Sequence, residues 1–123
     1  MTLKKIRLEL ARTAESPEGN RNCGYELVAP LDAKGRLAPG EWTRDKGACT
    51  VRRFWVNQGD EHGVLVHGSG GRWYFSYRPG EEDDEPLFRL DKHAFVKGEY
   101  VSVTEHDGVQ RPFRVVDVRP IAG

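Results

Sequence analysis

The chain has 123 residues, of which 37% are hydrophobic and 31% are charged, and its 19 lysines and arginines balance 19 aspartates and glutamates. This size and composition predict one domain (residues 1–123) with its own hydrophobic core and exclude an intrinsically disordered chain. The formal net charge of zero excludes a protein-wide field that would attract nucleic acid or an anionic membrane, although charges can still segregate locally.

No segment has the composition of a signal peptide or a membrane span. The first ten residues carry Lys4, Lys5 and Arg7 without a long apolar run, and no stretch approaches the roughly 20 apolar residues of a spanning helix. We therefore expect a cytoplasmic protein, and its organisation is typical of small bacterial proteins. In a reducing compartment Cys23 and Cys49 are expected to be thiols, and the sequence does not show whether they are close in space.

The first part of the chain predicts two strands separated by a polar loop. Lys5 to Leu10 alternates with a period of two, which is typical of a half-buried strand. The apolar residues that share its inner face are Ile6, Leu8 and Leu10. A surface loop is expected over Glu15 to Asn22, and a short apolar strand over Tyr25 to Ala29 ends at Pro30.

One short helix is predicted after a turn. The turn covers Asp32 to Arg36, whose residue types favour tight backbone reversals. The helix covers Pro39 to Lys46, with Trp42 as its apolar anchor. A proline at the start and Gly47 just beyond the end are typical of helix boundaries.

From Cys49 onward the sequence predicts strands. Cys49 to Val56 is rich in β-branched and aromatic residues, and a polar turn is expected over Asn57 to Glu61. Val64 to His67 and Trp73 to Tyr77 flank the glycine-rich run Gly68 to Gly71, which predicts a hairpin. The residues expected on one face of its second arm are Trp73, Phe75 and Tyr77.

The last third predicts an acidic loop and a second hairpin. The loop covers Pro79 to Pro86, and a brief strand is expected over Leu87 to Leu90. Tyr100 to Glu105 and Phe113 to Val118 bracket a turn that contains Asp107-Gly108. The residues expected to face valines across this second hairpin are Val101 and Val103.

Seven or eight short strands and one short helix predict a mainly β fold. The preferred form is a single small, partly open antiparallel β-barrel, and a β-sandwich is the alternative. A flat open sheet would leave long strand edges exposed to other chains, so closure of the sheet is favoured.

The metal-ligating residue types do not have the spacing of a metal site. His62 and His67 would lie on opposite faces of one strand, and His93 and His106 are separated from them in loops or at strand ends. The acidic run Glu81 to Glu85 lacks the alternating ligands and the glycine of a calcium loop. No metal is expected.

No catalytic residue is predicted. Arg52 and Arg53 could lower the pKa of a nucleophilic Cys49, but a small core residue at a strand start is the more common role for such a cysteine. The glycines of Gly68 to Gly71 precede a strand, whereas a phosphate-binding loop usually leads into a helix. We expect neither catalysis nor a cofactor, although the sequence leaves enzymatic activity open.

Arginines interleave with aromatic residues in Arg52 to Trp55 and in Arg72 to Arg78. Aromatic and arginine side chains on a sheet surface are typical of single-stranded nucleic-acid binding. The other interpretation is that one aromatic face fills the barrel and arginines border it. The candidate binding surface consists of Arg52, Arg53, Trp55, Arg72, Trp73, Tyr74 and Arg78.

Two segments, Phe95 to Val103 and Gln110 to Phe113, resemble the flavin-binding barrel of ferredoxin reductases. That family carries a Pro-Gly-Gln-Tyr strand and then Arg-x-Tyr-Ser at the flavin. The resemblance implies that Arg111 faces the flavin phosphate and that Phe113 stacks on the ring system.

The resemblance covers about a sixth of the chain, and two residues depart from the pattern. Lys97 replaces the proline, and Arg114 replaces a hydroxyl residue. The ten residues after these segments are too few for the rest of such a barrel or for a nicotinamide domain. The whole chain also resembles small bacterial β proteins of unknown function.

Three functions are therefore open. The leading hypothesis is a non-catalytic binding module that acts through a protein partner or by self-association, because arginine and aromatic residues favour interfaces. The second is a single-stranded nucleic-acid-binding barrel, which the net charge of zero disfavours. The third is a flavin-binding or enzymatic barrel. A membrane partner is not expected.

Overall fold

The computed structural model describes residues 3–14, 16–44, 46–67, 73–77, 85–88, 94–105 and 108–121, with the backbone alone for 85–88. Over these ranges the chain forms strands joined by short connections, one short α-helix and one 3-10 helix. In chain order they are β1 (Leu3–Leu10), β2 (Asn20–Pro30), α1 (Pro39–Arg44), the 3-10 helix (Lys46–Ala48), β3 (Thr50–Trp55), β4 (Gln58–His67), β5 (Trp73–Ser76), β6 (Glu85–Phe88), β7 (Tyr100–Thr104) and β8 (Gln110–Pro120).

The strands form an antiparallel barrel in sequence order. Each strand pairs with the next, and β1 also pairs with β8, so that the ring closes. Seven strands form a curled sheet through long ladders, whereas β6 joins β5 and β7 through two residue pairs on each side. The predicted mainly β barrel of seven to eight short strands with one short helix is confirmed. The barrel has the fewest paired residues at β6. This weak closure agrees with the partly open barrel that the sequence favoured.

The alternation of β1 places its apolar side chains in the core, as predicted. Ile6 and Leu8 are fully buried, and they meet Tyr25 and Leu27 of β2 within the interior. Three aromatic rings fill the centre: the ring of Tyr25 lies 4.8 Å from that of Phe75 and 5.1 Å from that of Phe113. An eight-stranded barrel is narrow enough for side chains to fill it.

Two strands are longer than predicted at their polar ends. β2 begins at Asn20, inside the predicted loop, because its first residues extend the sheet with solvent-facing polar side chains. β4 begins at Gln58, where a polar turn over Asn57 to Glu61 was expected. The turn consists only of Val56 and Asn57, and Asn57 adopts a positive φ of 62°, which asparagine tolerates better than most residues.

Two glycines lie where the backbones of neighbouring strands approach each other closely. A Cβ at Gly24 would collide with the backbone carbonyl oxygen of Leu8, and one at Gly63 would collide with that of Ser76. Both contacts are with backbone atoms, so a larger residue would force two strands apart.

The helix is shorter than predicted and is fixed by its tryptophan. It ends at Arg44, and a 3-10 helix occupies the end of the expected span. The indole nitrogen of Trp42 donates to the carbonyl oxygen of Leu65 at 2.9 Å, and its ring lies 5.7 Å from that of Trp73. None of the described helices has the length and apolar character needed to cross a membrane.

The remaining expectations have mixed outcomes. The inward face of Trp73 and Phe75 is confirmed. β6 begins and ends two residues earlier than the strand predicted over Leu87 to Leu90. The expected facing valines across β7 and β8 are wrong, because Val101 is opposite Phe113 and Val103 is opposite Arg111. The glycine run 68–71, most of the acidic loop, His93 and His106 lie outside the described residues.

Candidate functional site

Strand β3 sends two adjacent arginines to opposite sides of the barrel wall. Val51, Arg53 and Trp55 face the interior, and Arg52 and Phe54 face outward. A register shift between Arg53 and Trp55 accompanies the end of the strand. The arginine pair therefore contributes to two separate environments.

The inner cluster consists of Tyr25, Arg53, Glu105 and Arg111. Nη2 of Arg53 lies 3.2 Å from Oε1 of Glu105, and its Nε donates to Oε2 at 3.4 Å. The Tyr25 hydroxyl donates to the same Oε2. Arg111 is the third residue around this carboxylate, with its Nη1 3.8 Å from Oε1. The carboxylate is thus surrounded by donors inside the barrel.

Burial and charge oppose each other at Arg53, which is 7% exposed. Burial by itself lowers the pKa of Arg53, but the hydrogen bond and the negative charge of Glu105 outweigh it, so the pKa is raised. The guanidinium also lies 4.3 Å above the ring of Trp55 and 3.4 Å from the side-chain oxygen of Gln58. Arg53 therefore remains charged, and its position depends on Glu105.

The inner cluster has the character of a structural ion pair. Its carboxylate already accepts hydrogen bonds from Tyr25 and Arg53, and it contains no thiol or aliphatic hydroxyl that could act as a nucleophile. Cys23 and Cys49 are both buried thiols in the core. Across the described ranges, no three histidine, cysteine or acidic side chains are grouped so that they could hold a metal ion.

The two described histidines lie on opposite faces of β4, as predicted. His62 is exposed on the outer wall. His67 stacks on the ring of Trp73, with centroids 4.2 Å apart, and it contacts Trp42 edge-on. The two side chains therefore cannot share a ligand.

Charged and polar side chains cross the outer wall from β8 to β4 in one row. The register places in this order Asp117, Arg7, Glu26, Arg52 and His62. Glu26 accepts a hydrogen bond from Arg52 and lies 3.8 Å from Nη1 of Arg7, while Arg52 also donates to an Asp60 oxygen at 2.8 Å. We call this set the outer charge row.

The arginines of the outer charge row are engaged with the protein itself. Phe54 lies between two guanidiniums, 4.4 Å from that of Arg7 and 5.1 Å from that of Arg52. Arg52 is in addition bound to Glu26 and Asp60. A phosphate would have to compete with two carboxylates for this arginine.

A groove of about 550 Å³ lies beside the outer charge row. Its lining comes from the first four strands and from the residue that follows β8, so we call it the β1–β4 groove. Side chains that line it include Lys5, Val28, Thr50, Arg52, His62 and Ile121. Apolar atoms of Val28 and Ile121 are thereby flanked by cationic and polar groups.

The predicted binding surface is divided by the barrel wall. Arg53, Trp55 and Trp73 face inward, and Trp73 is only 4% exposed. Arg52 faces outward, and Tyr74 occupies the opposite face of β5 from Trp73. Arg72 and Arg78 lie outside the described residues. The described members therefore do not form one continuous surface.

A second groove, of about 500 Å³, was missed by the sequence analysis. We call it the arginine groove. Its charged and aromatic lining comprises Glu9, Arg12, Glu18, Arg21, Tyr100 and Arg114. These residues come from distant segments, and only the register of β8 with β1 and β7 places Arg114 opposite both Glu9 and Tyr100.

The residues singled out by the flavin-barrel resemblance lie in or beside the inner cluster. Phe113 is fully buried, with its ring packed near those of Tyr25 and Trp55. Arg111 approaches Glu105. Comparison of the chain with protein-family models, curated proteins and solved structures gives no match. The function is therefore inferred from the residues of the inner cluster, the β1–β4 groove and the arginine groove.

Proposed function

We propose that the protein is a non-catalytic binding module that engages another protein chain, either a partner or a second copy of itself, through the β1–β4 groove. The observation that carries this proposal is the contrast between the two sides of the wall. The inward side chains pack into one hydrophobic core closed by the Arg53–Glu105 pair. The outward side retains an accessible groove.

The lining of the β1–β4 groove suits a protein surface. Val28 and Ile121 provide apolar contact area, and Lys5, Thr50 and His62 surround them with groups that can form hydrogen bonds. Protein interfaces commonly combine an apolar centre with a polar rim. Arg52, held by Glu26 and Asp60, adds a side chain of fixed position to the edge of this surface.

The proposal is tested by comparing three forms of the full chain. Val28→Glu places a carboxylate in the groove, and Lys97→Glu changes an exposed turn residue that lines neither groove. Sedimentation analysis over a range of concentrations measures self-association. Affinity capture with quantitative mass spectrometry measures partner binding.

We expect that Val28→Glu loses dimerisation or one specific partner, while Lys97→Glu behaves as the wild type. Circular dichroism and thermal unfolding establish that both variants are folded. A wild type that is monomeric at every concentration, and whose captured proteins do not differ from those of Val28→Glu, contradicts the proposal.

A further inference from the structure

We propose that the arginine groove is a second binding site, and that its ligand is single-stranded nucleic acid. This inference goes beyond the proposed function, because it concerns another groove and another class of ligand. The features that carry it are an exposed aromatic ring, three arginines and the charge balance of the groove.

Tyr100 provides an open stacking surface. Its side chain is 54% exposed although it is at the start of β7, and no described aromatic or cationic side chain covers its ring. Aromatic rings exposed on the sheet surface bind unpaired bases by stacking, with little dependence on sequence.

Three arginines line the same groove as this ring. Arg12 follows β1, Arg21 is in β2 and Arg114 is in β8, directly opposite Tyr100. All three side chains are exposed, and among the described residues none of the three forms an ion pair. They therefore differ from Arg52 and Arg53, whose charges are already compensated by carboxylates.

The two carboxylates of the groove do not cancel these charges. Nε of Arg7 holds Glu9 at 2.8 Å, so that this carboxylate is already compensated. Glu18 is the one other acidic residue among the described lining residues. The described lining thus carries three arginines and two glutamates, an excess of one positive charge, in a protein whose net charge is zero. Such local segregation attracts a polyanion.

A strand of nucleic acid fits this arrangement better than a single phosphate. The arginines come from three separate segments around a groove of about 500 Å³, which favours contacts with successive phosphates. In this arrangement a base would stack on Tyr100, and phosphates would bind the arginines. Each nucleotide of a single strand supplies one base and one phosphate.

The test measures fluorescence anisotropy of labelled oligouridylate and oligothymidylate at low salt. Arg114→Gln is compared with Arg119→Gln, which removes the same charge from the same strand at an exposed residue paired with Asp117 and outside the groove. Tyr100→Leu removes the stacking ring, and Tyr100→Phe keeps it.

For the wild type we expect binding that weakens with salt. Arg114→Gln is expected to lower the affinity about fivefold and to reduce the salt slope by about one, whereas Arg119→Gln changes little. Tyr100→Leu is expected to lower the affinity about tenfold, and Tyr100→Phe to retain it. Thermal unfolding identifies any variant that does not fold.

Three outcomes overturn the inference: absence of salt-sensitive binding by the wild type, equal losses in Arg114→Gln and Arg119→Gln, or equally tight binding of heparin and duplex DNA. Val28→Glu separates this inference from the proposed function. That substitution lies in the other groove and should leave oligonucleotide binding unchanged, so each proposal can fail without the other.

Discussion

Arg52 and Arg53 are adjacent in the sequence, yet their guanidinium groups lie on opposite sides of the barrel wall. Arg53 is directed inward to Glu105, and Arg52 is directed outward to Glu26 and Asp60. The alternation of a β-strand imposes this separation. Consequently the two arginines should respond very differently to loss of their partners.

Loss of the buried carboxylate should be costly. We expect Glu105→Gln to lower the free energy of unfolding by about 3–5 kcal/mol, because it leaves the charge of Arg53 without its buried counter-ion. Urea denaturation measures the change. The matched control is Asp117→Asn, which breaks an exposed pair with Arg119 and should cost less than about 1 kcal/mol. Equal small losses in both variants would show that the inner ion pair contributes little.

Tyr25 should contribute through its hydroxyl group as well as its ring. Tyr25→Phe keeps the packing against Phe75 and Phe113 but removes the hydrogen bond to Glu105. We expect a loss of about 1.5–3 kcal/mol, as for a hydrogen bond to a charged group, measured by urea denaturation. If Tyr25→Phe remains as stable as the wild type, the hydroxyl is not needed to hold the carboxylate.

The close approach of β1 and β2 at Gly24 should not tolerate a side chain. Gly24→Ala directs its Cβ at the Leu8 carbonyl oxygen, so β1 and β2 must move apart. We expect destabilisation of about 1–3 kcal/mol and a lower thermal midpoint. Gly59→Ala is the control, because a Cβ there has no neighbour within 4 Å. Similar melting temperatures for the two variants would contradict this role.

The turn before α1 should depend on the charge of Asp32. Backbone N–H groups of Arg36 and Lys34 donate to its carboxylate and hold the pKa of Asp32 below its usual value. Its stabilising contribution is therefore complete above the unfolded pKa, near 4, and disappears as the pH falls through the lower folded pKa.

Two measurements test this dependence. A ¹³C NMR titration should give a midpoint for the Asp32 carboxyl below 3.8, its ordinary value. Asp32→Ala should be less stable than the wild type at neutral pH, and this difference should vanish in acid. A normal midpoint, or a stability difference that persists in acid, would contradict the argument.

The sequence predicted the strands whose inner faces are apolar, such as β1 with Ile6 and Leu8. It missed the first half of β4 because the inward residues there are Glu61 and Gly63 rather than apolar ones. Glu61 lies near Arg53, and Gly63 is required by the close crossing of β5. Hydrophobic periodicity cannot identify a strand whose inner face is fixed by an ion pair and a steric constraint.

The candidate sites were less accessible to sequence analysis than the fold. Arg53 and its partner Glu105 are separated by 52 residues, so no local pattern showed that this arginine faces inward. The arginine groove could not be predicted for the same reason, because Arg12 and Arg114 line one groove only after β1 and β8 have paired. That Tyr100 and Arg114 are neighbours on one exposed face is known only from the register of the β7–β8 hairpin.

The pairing of β1 with β8 places residues from opposite parts of the chain side by side, with Lys4 opposite Pro120. Both grooves are built across this seam: one joins Lys5 to Ile121, and the other joins Arg12 to Arg114. During synthesis, neither surface can be complete before β8 has been made and has docked. Binding through either groove would therefore distinguish finished molecules from nascent or truncated ones, whose β1 still presents an open edge to other chains.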